Sequence, residues 1–445
     1  MEDLPDSQST TVIPSALERA GAGRDLRIGI DARAAAEVPA GRGRVVRELL
    51  RALAGLDYKH RYVLYAREAW GQEELDDERF QWRLLESRDP RWHWQAARAA
   101  NAECDVFLSS NSYLTSRFLR IPSVAIVYDL ATFERAMHPK RRSRVIERVT
   151  LGMAVKRSAK LLAISQATAE ALITRFPGAA SLTVVAPLGV ARGLGGTGAG
   201  PERTPASLDG NADDMPMALD GNPNGTALAS GVAATATLPA PGFVLAVGTL
   251  EPRKNLPRLV EAYAAMPAEL QTAHPLVVVG PVGWEANGTL RALQSLGERC
   301  TLLGHVSDAT LAELYRRCAV FCYPSLGEGF GLPVLEAMAA GAAVLTSNIS
   351  SLPEVGGEAV AYADPTRAAA IGEQLERLLR DEPLRAQLST RASARAQEFS
   401  WESFAETVLA VLEEAVYANV PASHSSEEEN LSSFYSSHRS SVDRH

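Results

Sequence analysis

Strand and helix patterns alternate twice along the chain, once on each side of a low-complexity break, and this predicts an α/β protein with two doubly wound domains facing a cleft. Three observations carry the expectation. The chain of 445 residues is too long for one ordinary core, and its apolar fraction of 46% suits globular domains. Short β-branched runs alternate with longer amphipathic stretches, as in parallel sheets covered on both faces. A break over residues 191–240 separates two complete rounds of that alternation.

Taken in order, residues 1–25 mix polar and small residues without sustained periodicity and are expected to form a flexible arm. The first domain is placed at 26–190. From LRIGIDAR onward, RYVLYA, CDVFLSS, SVAIVYDL, KLLAIS and LTVVAPLGV read as strands, and GRVVRELLRALAGL, SRVIERVTLGMAVKRS and QATAEALITRF as helices. Residues 191–240 are rich in Gly, Ala, Pro, Thr and Asp and repeat LDGN at Leu208 and Leu219. Such a composition buries too little apolar surface to offset its ordering entropy, so it reads as an insertion or linker. It lacks the ligand spacing and late glutamate of a calcium loop.

The alternation restarts in a second domain at 241–398. Strands are expected at GFVLAVGTL, PLVVVGP, CTLLGHV, AVFCYPS, AAVLTS and AVAYA, with helices at NLPRLVEAYAAM, DATLAELYRRC and LPVLEAMAAG and two more after Asp364-Pro365. A last helix at 399–418 has Ser400 placed as its cap and a good apolar stripe. The tail at 419–445 is serine-rich and charged and is expected to be disordered.

A net charge of −8 and a pI near 5.6 give no electrostatic footprint for nucleic acid. Cys104, Cys300, Cys318 and Cys322 are scattered without nearby histidines and read as reduced structural thiols, with no metal site. No leader pattern and no apolar run of membrane-spanning length is found, so a cytoplasmic location is expected, with peripheral contact at the inner face of a membrane left open.

The chemistry concentrates in PSLGEGFGLPVLE, residues 324–336. A strand ends near Tyr323, Gly327, Gly329 and Gly331 let backbone approach a ligand, and Pro333 suits the first turn of a helix. The turn is thus a helix N-terminus, which favours phosphate. Glu328 and Glu336 flank it. Carboxylates beside an anion site make sense for a molecule with a diphosphate in the middle and hydroxyl-rich groups at both ends, since a carboxylate accepts two hydrogen bonds from a vicinal diol. The bland alternative is a capped helix with two solvated acids. In GTLEPRKN, Arg253 and Lys254 follow a strand and precede a helix, so they can point at that diphosphate.

The spacing E-x7-E in EGFGLPVLE, together with VGTLEPRKNLPRLVEAYA, resembles the retaining family-four glycosyltransferases, over most of the chain from about residue 26 to 417 without the insertion. The resemblance implies the GT-B fold: two Rossmann-like domains with the C-terminal helix crossing back to the first. It implies that Glu328 lies by the transferred sugar, that Glu336 holds the ribose hydroxyls, and that Lys254 binds phosphate. Gly329, Phe330, Gly331 and Leu332 belong to the same substrate-binding turn. Thr249 stands where relatives often carry an arginine, a role Arg253 is expected to fill.

In the first domain, GIDARAAAEVPAGRGRVVRELL resembles the family's glycine loop, with Gly41 and Gly43 beside donor phosphate or acceptor. As a dinucleotide fingerprint it is incomplete, because the third glycine is missing. Relatives often carry His-Asp where this chain has Tyr128-Asp129; Asp129 is expected to face the cleft, with a structural cap as the competing reading. Trp92, Trp94, Asn111 and Tyr113 are available on the acceptor side, against the commoner reading of such aromatics as core. With the family resemblance, these readings imply a metal-independent sugar transfer without a cofactor, from a nucleotide diphosphate sugar to a glycan or lipid-linked acceptor; GTLEPRKN is similar to the same stretch in mannosyltransferases of bacterial surface polysaccharides, and that resemblance is what suggests GDP-mannose as donor. A nucleotide-sugar epimerase and a silent nucleotide-binding scaffold stand as alternatives.

Overall fold

A computed structural model describes residues 24–38, 40–71, 75–130, 133, 141–190 and 238–417. The arm expected at 1–25, the insertion expected at 191–240 and the tail expected at 419–445 lie outside the described residues, apart from 24–25 and 238–240.

The first sheet is built from β1 (Arg27–Asp31), β2 (Arg61–Ala66), β3 (Phe80–Leu84), β4 (Val106–Ser109), β5 (Ser123–Val127), β6 (Lys160–Ala163) and β7 (Thr183–Val185). All pairs are parallel, in the order β3-β2-β1-β4-β5-β6-β7. The second sheet is built from β8 (Val244–Val247), β9 (Leu276–Val279), β10 (Cys300–Gly304), β11 (Val320–Tyr323), β12 (Val344–Ser347) and β13 (Ala361–Ala363). Its order is β10-β9-β8-β11-β12-β13, again parallel. Strands β4, β5, β11 and β12 are buried at every position, which is why VFL, VAIV and VFCY read as continuous apolar runs, with polar residues confined to strand ends. In each sheet the strand order reverses beside a central pair, β1–β4 and β8–β11, and the crevice outside the carboxyl ends of such a pair is where doubly wound sheets bind ligands.

Among the elements that escape the sequence pattern, two bear on the first domain's sheet and acceptor side. Strand β3 is an edge strand with only Phe80 fully buried. The segment around Trp92 opens a helix, Arg91–Glu103, that places Trp92 in the core at 0% exposure with the Arg33 guanidinium 3.7 Å from its ring centre. Tyr113 is buried as well, so of the aromatics considered for an acceptor platform only Trp94 is exposed.

The chain crosses between domains where Val190 N–H donates to the Phe399 carbonyl at 3.2 Å. The helix Trp401–Tyr417 then packs on the first domain, against the helix Arg42–Gly55 and strands β4, β5 and β6. Glu413 meets His60 Nε2 at 2.9 Å and Glu414 meets Lys160 Nζ at 2.6 Å. The expected return of the last helix is therefore what the structure has.

Candidate active site

The loop after β11 and the loop after β8 meet at Glu328. Oε1 accepts from Lys254 Nζ at 2.8 Å, Tyr323 Oη at 2.9 Å and Ser325 Oγ at 2.6 Å, while Oε2 accepts from Arg253 Nη1. Lys254 Nζ also donates to Tyr323 Oη at 2.5 Å. Arg253 Nη1 also donates to the Gly327 carbonyl at 2.9 Å, and on the other side of the guanidinium Nη2 donates to Glu251 at 2.8 Å. Burial opposes charge on Glu328, but Lys254 and Arg253 outweigh it and hold its pKa near about 2. Burial pulls the Lys254 ammonium down from its ordinary value, and the opposite pull of Glu328 offsets only part of this. Gly248, at φ +143, makes room for the lysine: a Cβ there would sit 3.2 Å from Lys254 Cε.

Glu336 lies on the next helix, Leu332–Ala339, with its side chain 5% exposed. Its carboxylate accepts from Tyr315 Oη at 3.2 Å and from Nη1 of Arg44, which reaches across from the first domain. Burial raises the pKa of Glu336, and Arg44 and Tyr315 counter it. The Arg44 guanidinium also approaches Asp308 at 3.3 Å.

The two domains close directly on the Glu328 loop. Ser165 Oγ and Thr168 Oγ1, at the start of the helix Gln166–Arg175, donate to the Gly329 carbonyl at 2.6 and 3.1 Å. The N–H groups of Gln166 and Ala167 donate to the Glu354 carboxylate of the second domain, the former at 2.9 Å, so a side chain from one domain caps a helix of the other. Gly329 lies against the Tyr128 carbonyl, which a Cβ would approach to 1.8 Å. Between the domains remains a cavity of about 340 Å³, lined among others by Asp129, Leu130, Thr168, Arg253, Glu328 and Ser350. It is bounded by an anion, a paired cation and backbone.

Residues 236–395 match the family described as Glycosyl transferases group 1. The second domain is a group 1 glycosyltransferase domain. O-antigen chain mannosyltransferase B of Escherichia coli is 43% identical over 168 residues, which cover 36% of this chain and 43% of that protein. The serotype-specific mannosyltransferase WbdA of Escherichia coli is 42% identical over 171 residues, covering 38% of this chain and 21% of that protein. The chain thus spans less than half the length of these curated relatives. Among solved structures, Anabaena Alr3699/HepE in complex with UDP and glucose superposes with a TM-score of 0.64 at 17% identity, covering 87% of this chain and 100% of that one. Sucrose-phosphate synthase from Thermosynechococcus elongatus gives 0.65 at 19%, covering 89% and 100%. At these identities the likeness concerns the fold, which is GT-B.

Within the glycosyltransferase domain, Glu328, Lys254 and Arg253 come together as one cluster, and Glu336 stands apart in a second one. Gly331 caps the helix between them at φ +104, Leu332 opens that helix, and Phe330 is buried, edge-on to Phe399 at 5.8 Å. Thr249 lies in the loop after β8 and packs toward Gly283, outside the residues lining the cavity. In the first domain Asp129 lines the cavity, whereas Tyr128 is buried and spends its hydroxyl on the Ser110 carbonyl at 2.6 Å. Gly41 caps the helix Arg42–Gly55 at φ +56, and Gly43 lies against the Val38 carbonyl, where any Cβ would collide. Asn111 offers its carbonyl to Arg42 at 3.4 Å. Sequence reasoning missed roles for Glu251 and Ser325, which lie inside the two motifs it used, for Tyr323, which precedes one of them, and for Arg44, Ser165, Tyr315 and Glu354, which no local pattern marks.

Proposed function

We propose that this protein is a retaining glycosyltransferase that moves a sugar, mannose from GDP-mannose as first choice, from a nucleotide diphosphate sugar to a glycan or lipid-linked acceptor without a metal ion. The observation that carries the reading is the Glu328 carboxylate with Lys254 and Arg253 bound to it, at the edge of a cavity shared by both domains. On this reading the bond from the anomeric carbon to the diphosphate oxygen breaks, negative charge grows on the diphosphate, and Lys254 turns from Glu328 to meet it, while Arg253 stays on Glu328 and adds its positive charge from there. Glu328 faces the sugar, which carries positive charge as it separates. The acceptor hydroxyl attacks from the same face and passes its proton to the departing phosphate oxygen. Mannose is favoured by the names of the relatives that match the second domain.

The experiment is a thermal-shift screen of the full chain against a panel of nucleotide sugars, followed by product analysis with and without acceptor. Binding of one donor, with sugar transferred only when acceptor is present, is the expected result. A changed sugar released without acceptor would establish the epimerase alternative, and binding without turnover the silent scaffold.

Peripheral membrane contact belongs to the same proposal. The helix Arg141–Arg157 carries Val145, Ile146 and Val149 at 53%, 53% and 50% exposure, next to the sequence Lys140-Arg-Arg-Ser-Arg. A basic run in the sequence beside exposed apolar residues is the composition that attracts anionic headgroups while the apolar residues insert. None of the described helices is long and apolar enough to cross a membrane. Co-sedimentation with anionic but not zwitterionic vesicles, lost on changing Val145, Ile146 and Val149 to Ser, is expected; equal recovery with both vesicle types would refute it.

A further inference from the structure

The Glu336 carboxylate is already engaged in this structure, and by a residue of the opposite domain. Of its two partners, Tyr315 is held in the second-domain core at 0% exposure, its ring edge-on to Phe321 at 5.3 Å. Arg44 is different in kind. It sits in the first turn of the helix Arg42–Gly55, its side chain is 19% exposed, and it reaches Glu336 across the cleft. It also has a second acceptor, Asp308, at 3.3 Å, whose side chain is 85% exposed. A carboxylate buried to this degree is costly without a counter-charge, so something must cover Glu336 when no ligand does.

We propose that Arg44 competes with a ribose for Glu336: its guanidinium takes the carboxylate that a nucleotide's vicinal hydroxyls would take, and nucleotide binding leaves Arg44 on Asp308 alone, which it already meets at 3.3 Å. The inference rests on the donor reading given above. Its consequence is that nucleotide affinity and the Arg44–Glu336 ion pair are one equilibrium, while Asp308 keeps Arg44 on the second domain. Each nucleotide must break an interdomain ion pair to bind, and affinity is lower by the worth of that pair. Because Arg44 and Glu336 are 292 positions apart and on different domains, the pair forms only when the cleft is closed. Arg44 therefore ties the two domains together on this side, as Glu354 does at the helix Gln166–Arg175.

Titration calorimetry of GDP and UDP into the full chain tests this, comparing the unmodified protein with Arg44→Met, which keeps the apolar stem, and Arg44→Lys, which keeps a charge. The expected result is binding about tenfold tighter in Arg44→Met, the size of one charged hydrogen-bonded contact that no longer has to be broken, with Arg44→Lys in between. The gain should vanish in a Glu336→Gln background, where Arg44 has no carboxylate to hold. Equal or weaker binding in Arg44→Met overturns the proposal, weaker binding making Arg44 a nucleotide ligand instead. If Arg44→Met does not fold, Arg44→Lys decides by the same sign. Absence of nucleotide binding in the unmodified protein would strike the donor reading itself, a separate outcome from an unmodified protein that binds and an Arg44 variant that binds no better.

Discussion

Replacing Glu328 with Gln should destabilise the protein by about 3–5 kcal/mol in urea denaturation, because it leaves Lys254 and Arg253 adjacent, buried and without their shared anion. The neutral amide still accepts from Ser325 and Tyr323, so the loss comes from charge and not from shape. The pH dependence has a definite sign. The folded pKa is depressed to about 2 from an ordinary 4.5, so the contribution of Glu328 is fully present above about pH 4.5 and is lost as pH falls toward 2. The variant's stability curve should therefore run parallel to that of the unmodified protein above this window and converge on it below. A variant within about 1 kcal/mol of the unmodified protein at pH 7 would mean that the two cations find other partners and that the cluster is not held by Glu328.

How much of this was legible in the sequence follows from where the information lies. The central strands of the second sheet stood out because strands buried on both faces are unbroken apolar runs, as VLAV, LVVV and VFCY are, whereas β10 and β13 are only partly buried and were marked by their place in the alternation. Strand β3 did not stand out, since FQWRL lies at a sheet edge with four of five positions at least partly exposed and carries no such run. The Glu328 cluster was half visible: the residues within a few positions of each motif could be read, but that Lys254 and Arg253 both end on Glu328 is a fact of two loops meeting, 74 and 75 positions apart. The contacts between domains were not visible at all. Arg44 with Glu336, and the helix start at Gln166 with Glu354, pair residues whose neighbours in sequence say nothing about each other. Tyr128 shows the converse case: the sequence marks its position as unusual, and only the fold explains that its ring is packed inward with the hydroxyl on Ser110.

Lys254→Ala is expected to leave the fold in place and to cut turnover. The removal leaves Glu328 with Arg253, Ser325 and Tyr323, so the carboxylate keeps a counter-charge and three donors. Tyr323 Oη loses one partner and retains Glu328. The stability cost is thus small compared with that of Glu328→Gln. The kinetic cost is large, because a buried ammonium aimed at growing negative charge stabilises the transition state more than the ground state. Removing one such donor typically costs about 2.7–4 kcal/mol, or roughly a hundredfold to a thousandfold in kcat. Arg253 cannot take over the role, since its guanidinium is tied on both sides, to Glu251 and to the Gly327 carbonyl, and its planar fork delivers charge to a different point. Arg253→Ala should for that reason act more on stability, by releasing the loop that carries Glu328. The measurement is kcat with the identified donor and acceptor, alongside circular dichroism and thermal melting of both variants. Turnover that survives in Lys254→Ala and collapses in an equally folded Arg253→Ala would move the charge-stabilising role to the arginine, and would make the lysine a structural counter-ion of Glu328.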